Sequence, residues 1–124
     1  MELKGRILVA EDELRVGQPI VNRLELEGHA VHWVRAIREL RDAILADKPD
    51  VLLLDVTLDT DGLEFFQAIR FAPEHPPAGV VVLTEPGDTI TKERAQQLGA
   101  AAVLMKPVDE DKLVTTVDDL LTYI

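Results

Sequence analysis

The chain holds 124 residues, with 13 Lys and Arg against 23 Asp and Glu and a formal charge of -10. A length of this order makes one domain that buries roughly two thirds of its unfolded surface without a staple. The acid excess argues against a nucleic-acid surface, which must neutralise phosphates, and suits a cation or a basic partner; with no cysteine, disulfide frameworks, zinc fingers and thiol nucleophiles are excluded, in keeping with a reducing compartment.

Met1 to Arg6 leads into an apolar stretch of only four residues, Ile7 to Ala10, too short for a secretory signal or a membrane span. The simplest expectation is a cytoplasmic protein with no membrane contact. The stretch predicts a first strand, and it ends on Glu11-Asp12-Glu13. Leu14, Val16, Ile20, Val21, Leu24 and Leu26 then form a helical stripe closed by Gly28. Gly17 and Pro19 weaken its first half; proline lacks an N–H and clashes with the preceding turn, so the helix is expected to begin late or to kink. Ala30 to Val34 alternates, with Val31 and Trp33 opposite Ala30 and His32, as an edge strand does, and Trp33 reads as packing. His29, His32 and His75 are scattered rather than clustered.

Ile37, Leu40, Ile44 and Leu45 make an amphipathic helix ended by Lys48-Pro49. The run Val51 to Leu54, bounded by Pro49-Asp50 and a turn, predicts a strand buried on both faces, as in a parallel sheet. Asp55 sits at its carboxyl end, where open α/β sheets collect ligands; alone, it serves equally as a turn cap. After Gly62, Leu63, Phe66, Ala68 and Ile69 predict a helix to about Phe71, followed by the proline-rich connection Ala72 to Pro77. Gly79 to Leu83 is a further buried strand ending on Thr84. Thr91 to Leu98 is a helix closed by Gly99, and Ala101 to Met105 a last buried strand ending on Lys106-Pro107. Leu113, Val114, Val117, Leu120 and Leu121 form the final helix, with Asp109, Glu110 and Asp111 where its dipole favours anions.

Strand and helix thus alternate five times with short connections and no internal repeat. This predicts a single α/β domain: a flavodoxin-like, doubly wound, five-stranded parallel sheet of order 2-1-3-4-5, with right-handed crossovers and five helices on both faces. In that order strands one, three, four and five are neighbours, so Glu11, Asp12, Asp55, Thr84 and Lys106 converge. Three carboxylates in one cleft repel one another, and a hard cation relieves the repulsion; magnesium takes oxygen ligands from one or two carboxylates, waters and a phosphate. A carboxylate beside such an ion is a nucleophile towards phosphorus, and Lys106 and the Thr84 hydroxyl suit the transferred oxygens. Taken one at a time, the acids can be a helix turn, Thr84 a helix cap, and Lys106-Pro107 a turn with a cis bond. Their joint placement at adjacent strand ends favours the site.

Glu-Asp after strand one, Asp after strand three, Thr after strand four and Lys-Pro after strand five resemble the receiver domain of two-component response regulators, over Ile7 to Leu121. The resemblance implies that Asp55 accepts a phosphoryl group from a histidine kinase or phosphotransfer protein. It implies a Mg2+ or Mn2+ ion bound by Asp12, by Glu11 through water, by Asp55 and by the backbone carbonyl of Thr57. Lys106 would pair with the acceptor and then with the phosphoryl group, and Thr84 would move to hydrogen-bond it. Such a module is a signalling phosphoprotein rather than an enzyme, catalysing only its own phosphorylation and dephosphorylation. It switches a surface for an unknown output partner or effector domain, binds no nucleic acid itself, and is a monomer or weak dimer. Residues 1–124 are expected to be one receiver domain.

Several positions depart from the family pattern. Gly62 lies seven residues after Asp55 rather than eight, and Asp59 stands where a proline is usual; the short loop makes Asp59 and Asp61 either aids to cation binding or solvated turn residues. Glu85 replaces a small residue and crowds the cleft or adds charge to it. Val103 occupies the place of a switching Tyr or Phe, and Ala101-Ala102 that of an aspartate pair used in dimerisation. Thr57 and Pro86 flank the route of an attacking water, and since Pro86 cannot orient one, dephosphorylation is expected to be slow. The alternative is a pseudo-receiver that docks a partner without phosphorylation. A haloacid-dehalogenase-type phosphatase needs an acid at position 57, which is Thr57, and a flavodoxin needs hydroxyls where Glu11 and Asp12 stand.

Overall fold

The computed structural model describes residues 4–58, 62–70 and 79–122. In chain order the elements are β1 (Arg6–Ala10), α1 (Leu14–Leu26), β2 (Ala30–Val34), α2 (Ile37–Asp47), β3 (Val51–Asp55), α3 (Gly62–Arg70), β4 (Gly79–Thr84), α4 (Thr89–Gln97), β5 (Ala102–Met105) and α5 (Glu110–Thr122). All strand pairs are parallel, in the order β2-β1-β3-β4-β5. The sequence-based sheet order is therefore observed. Its physical basis is visible in β3 and β4, which are buried along their whole length, whereas β2 alternates at the edge.

Side chains of a strand point alternately to opposite faces. Leu8, Leu52, Leu54, Val80 and Val82 enter one layer with Leu40, Ile44, Leu63, Phe65 and Phe66 of α2 and α3. Ile7, Val9, Val51, Leu53, Val81 and Leu83 enter the other with Ile20, Leu24, Leu113 and Val117 of α1 and α5. The same alternation sends Asp55 to the side of Val51 and Leu53, so an acid ends a row of core residues.

Several details correct the expectations. Helix α1 starts at Leu14, not late: the N–H groups of Val16 and Gly17 both bond the Glu13 carbonyl, and Pro19 sits on the exposed face, where water can take the carbonyl it leaves free. Leu14 and Leu26 lie outside the buried stripe, with Leu26 84% exposed. In α2 and α3, Ala43 and Phe65 are buried while Leu45 and Ala68 are exposed. Helix α4 begins at Thr89 because Asp88 caps it, its carboxylate accepting from the Thr91 N–H at 3.0 Å and its hydroxyl at 2.6 Å. That cap removes the reading of Thr84 as the cap of this helix. The Lys106–Pro107 bond is cis. The proline-rich connection at 72–77 and the acids at 59 and 61 lie outside the described residues.

Candidate functional site

The carboxyl ends of β1, β3, β4 and β5 bring four sequence-predicted polar residues into burial: Glu11 and Asp55 at 0% exposure, Thr84 at 2% and Lys106 at 6%. Asp12 joins them from a more open position. One carboxylate oxygen each from Glu11, Asp12 and Asp55 falls within a 4.8 Å cluster.

Asp55 is held from two sides. Its Oδ1 accepts the Thr57 N–H at 3.0 Å and the Thr57 hydroxyl at 2.8 Å, and its Oδ2 accepts from Lys106 Nζ at 3.1 Å. The turn that carries Thr57 is tied down by Leu58 N–H to the Asp55 carbonyl at 3.2 Å and by Gly62 N–H to the Val56 carbonyl at 3.1 Å. Gly62 starts α3 so close to this turn that a Cβ would lie 2.7 Å from Val56 Cα and 3.0 Å from the Asp55 carbonyl oxygen. Only glycine fits there, which accounts for the residue that closes the loop.

Lys106 is placed by its own backbone: its N–H donates to the Thr84 carbonyl at 2.8 Å, which ties the ends of β4 and β5 together. Its ammonium meets four carboxylates, Asp55 at 3.1 Å, Glu11 at 3.3 Å, Glu85 at 3.6 Å and Glu13 at 3.8 Å. Burial alone would lower its pKa, but Asp55 and Glu11 outweigh burial and raise it, so the amine stays charged. Glu85 contributes charge to the cleft, one of the two outcomes its position allowed. The contact of Glu13 with Lys106 has no signal in the sequence, because spacing alone does not report which way an exposed acid turns.

Glu11 carries the cost of this crowding. Its Oε1 accepts the Glu13 N–H at 3.1 Å and lies 3.4 Å from Lys106, whereas its buried Oε2 accepts no hydrogen bond. Burial, and next the charge of Asp55, push its pKa up from 4.5 to about 7. A buried carboxylate oxygen that accepts no hydrogen bond, balanced only by the Lys106 ammonium 3.3 Å away and set beside two further carboxylates, belongs to a donor set for a hard divalent cation, and the residues fit Mg2+ or Mn2+.

The geometry defines a doubly wound domain whose sheet ends in an acid-lined cleft with a buried lysine. Comparison with known proteins agrees: the model of the response regulator receiver domain matches residues 7–118, and the chain belongs to that family. It is 33% identical over 112 residues to the swarming motility regulation protein RssB of Serratia marcescens, covering 90% of this chain and 50% of that protein. It is 35% identical over 109 residues to the response regulator protein PmrA of Pseudomonas aeruginosa, covering 87% and 48%. The chain thus spans about half the length of these curated relatives. Among solved structures it resembles NtrX from Brucella abortus, with TM-score 0.85 and 27% identity over 97% of this chain and 27% of that one. The response regulator receiver domain from Bermanella marisrubri, at 24% identity and TM-score 0.86 over 94% and 97%, shares the fold. No helix among the described residues is long and apolar enough to cross a membrane.

Proposed function

We propose that this receiver domain is a phosphorylation-controlled switch in which Asp55 accepts a phosphoryl group from the phosphohistidine of a sensor histidine kinase or phosphotransfer protein. The observation that carries the reading is the pairing of a fully buried Asp55 with Lys106 at 3.1 Å inside a cluster of three carboxylates. An Asp55 carboxylate oxygen attacks phosphorus, the P–N bond breaks, and the imidazole leaves with the electron pair and takes up a proton. An acyl phosphate remains on Asp55. Lys106 offers its N–H groups to the transferred oxygens, and Thr84, on the strand end that holds Lys106, offers its hydroxyl.

Glu11, Asp12, Asp55 and the Thr57 carbonyl would hold the divalent cation, which supplies neutralisation of the charge on the transferred group. Without it, four carboxylates face one ammonium within 3.8 Å, and an arriving phosphate adds further negative charge. In this reading residues 1–124 form one cytoplasmic receiver domain, monomeric or weakly dimeric, whose output is read by another domain or protein and which does not itself bind nucleic acid.

The test is intact-mass analysis after incubation with acetyl phosphate and Mg2+. Wild type gains one phosphoryl group and Asp55→Ala gains none; a wild type that gains none points to a pseudo-receiver that works by docking alone. A second expectation concerns lifetime. The Thr57 hydroxyl is occupied by Asp55 at 2.8 Å, and Pro86 has no N–H with which to orient a water. The acyl phosphate should therefore hydrolyse slowly, and loss of the label within seconds in Mg2+, with no phosphatase present, contradicts this.

A further inference from the structure

We infer that Trp33 and Arg35, at the edge of the sheet and outside the phosphoryl site, are positioning residues for the cation site. The inference rests on the reading that Glu11 and Asp12 hold a divalent ion. The indole N–H of Trp33 donates to the Glu11 carbonyl at 2.9 Å, and Arg35 Nη2 donates to the Asp12 carbonyl at 2.8 Å. Between them, the Val34 carbonyl accepts the Glu11 N–H at 3.1 Å. Three consecutive residues at and just past the end of β2 therefore hold three backbone polar groups of the acidic turn: the N–H and carbonyl of Glu11 and the carbonyl of Asp12.

Both donors are themselves placed. The six-membered part of the indole lies on the backbone of α1 at Gly17, where a Cβ would come within 2.3 Å of Trp33 Cζ2 and 2.6 Å of Cε2. Any side chain at position 17 would push the ring, and with it the N–H, off the Glu11 carbonyl. The main chain at Arg35 is anchored just before α2, where its N–H donates to Glu39 Oε2 at 3.3 Å. A glycine that weakens α1 and a tryptophan that reads as ordinary packing are thus two halves of one arrangement.

The chemical consequence follows from where the carboxylates are attached. The peptide planes on either side of Asp12 set the directions in which the Glu11 and Asp12 side chains leave the main chain. A cation site tolerates errors of only about 0.5 Å in its ligands. The edge strand holds those planes through side chains, and groups that orient metal ligands tune affinity without touching the ion.

The experiment measures Mg2+ binding by calorimetry and by the shift in melting temperature, on wild type, Trp33→Phe and Arg35→Met. Trp33→Phe removes the donor together with part of the ring that lies on Gly17, so its metal-free melting temperature reports the lost packing and its Mg2+ affinity the lost donor; Arg35 is exposed, so Arg35→Met removes its donor with little loss of packing. The expected result is a Mg2+ affinity lowered roughly threefold to tenfold in each variant, from the loss of one hydrogen bond. Wild-type fluorescence, which comes from the single tryptophan, should change saturably with Mg2+, and Asp12→Asn should abolish that change. A residue that served packing alone would lower the melting temperature of Trp33→Phe and leave its Mg2+ affinity as in wild type; that outcome in both variants overturns the inference. Wild type that binds no Mg2+ overturns the cation reading itself, and the inference falls with it.

Discussion

Replacing Lys106 with methionine is expected to lower the melting temperature of the metal-free protein by roughly 10 °C, from a loss of about 3 kcal/mol, while tightening its hold on Mg2+. The two effects have one cause. Lys106 is 6% exposed and sits 3.1 Å from Asp55 and 3.3 Å from Glu11, both fully buried. Methionine matches the stem in length, so packing survives, but two buried carboxylates lose their counter-charge, and removing one partner of a buried pair is the costly way to break it. The half-exposed Glu85 and Glu13 add repulsion and little stability, since exposed pairs are screened. A divalent cation entering the variant no longer competes with an ammonium, so its affinity should rise by about threefold or more. Phosphoryl acceptance from acetyl phosphate should nevertheless fall by about 100-fold, because the group that meets the transferred oxygens has gone. Thermal melts with and without Mg2+, alongside phosphorylation rates, check all three. A variant that melts like wild type, or binds Mg2+ more weakly, would show that Lys106 is not the internal counter-ion of this cleft.

The strands were the most legible part of the chain, because strands buried on both faces must be written as unbroken apolar runs. Val51 to Leu54 and Val80 to Leu83 could hardly be anything else, and the alternation of Ala30 to Val34 marked the edge. Asp55, Thr84 and Lys106 were legible for a related reason: a polar residue ending such a run stands out, and the sheet order brings the ends together. Surface helices were less so. Leu45 and Leu26 have the residue type of a core position, yet α2 buries Ala43 and leaves Leu45 in water, because helical phase is set by the neighbouring layer rather than by hydrophobicity alone. The start of α4 depended on Asp88, a cap whose partner is a backbone N–H and leaves no hydrophobic signal. Trp33 was legible as packing, but the N–H that a half-buried indole must satisfy found the Glu11 carbonyl, 22 residues away. Nothing local in the sequence could point there.

Glu11 supplies the second large effect, a stability that depends on pH and reverses with the ion. Its pKa is raised from 4.5 to about 7, by burial first and by the Asp55 charge next. Below the ordinary carboxylate range both the folded and unfolded chains hold the proton, and the stabilisation relative to the ionised state is fully present. As pH climbs through about 7 the folded protein must ionise a buried group, and that stabilisation is lost. His29 works in the opposite direction: burial lowers its pKa from 6.5 despite Asp118 nearby, so it costs stability as pH falls below that value. A plain melting curve mixes the two, and Glu11→Gln separates them. Without divalent ions the variant should melt close to wild type at pH 4.5, and higher by roughly 5 °C at pH 8. With saturating Mg2+ at pH 8 the order should invert, because the ionised carboxylate that burdens the empty cleft is then a ligand, and glutamine offers the ion only a neutral oxygen. A gap between the two proteins that stays constant from pH 4.5 to pH 8 would mean that Glu11 is not the titrating group, and a gap that Mg2+ does not invert would mean that Glu11 does not face the ion.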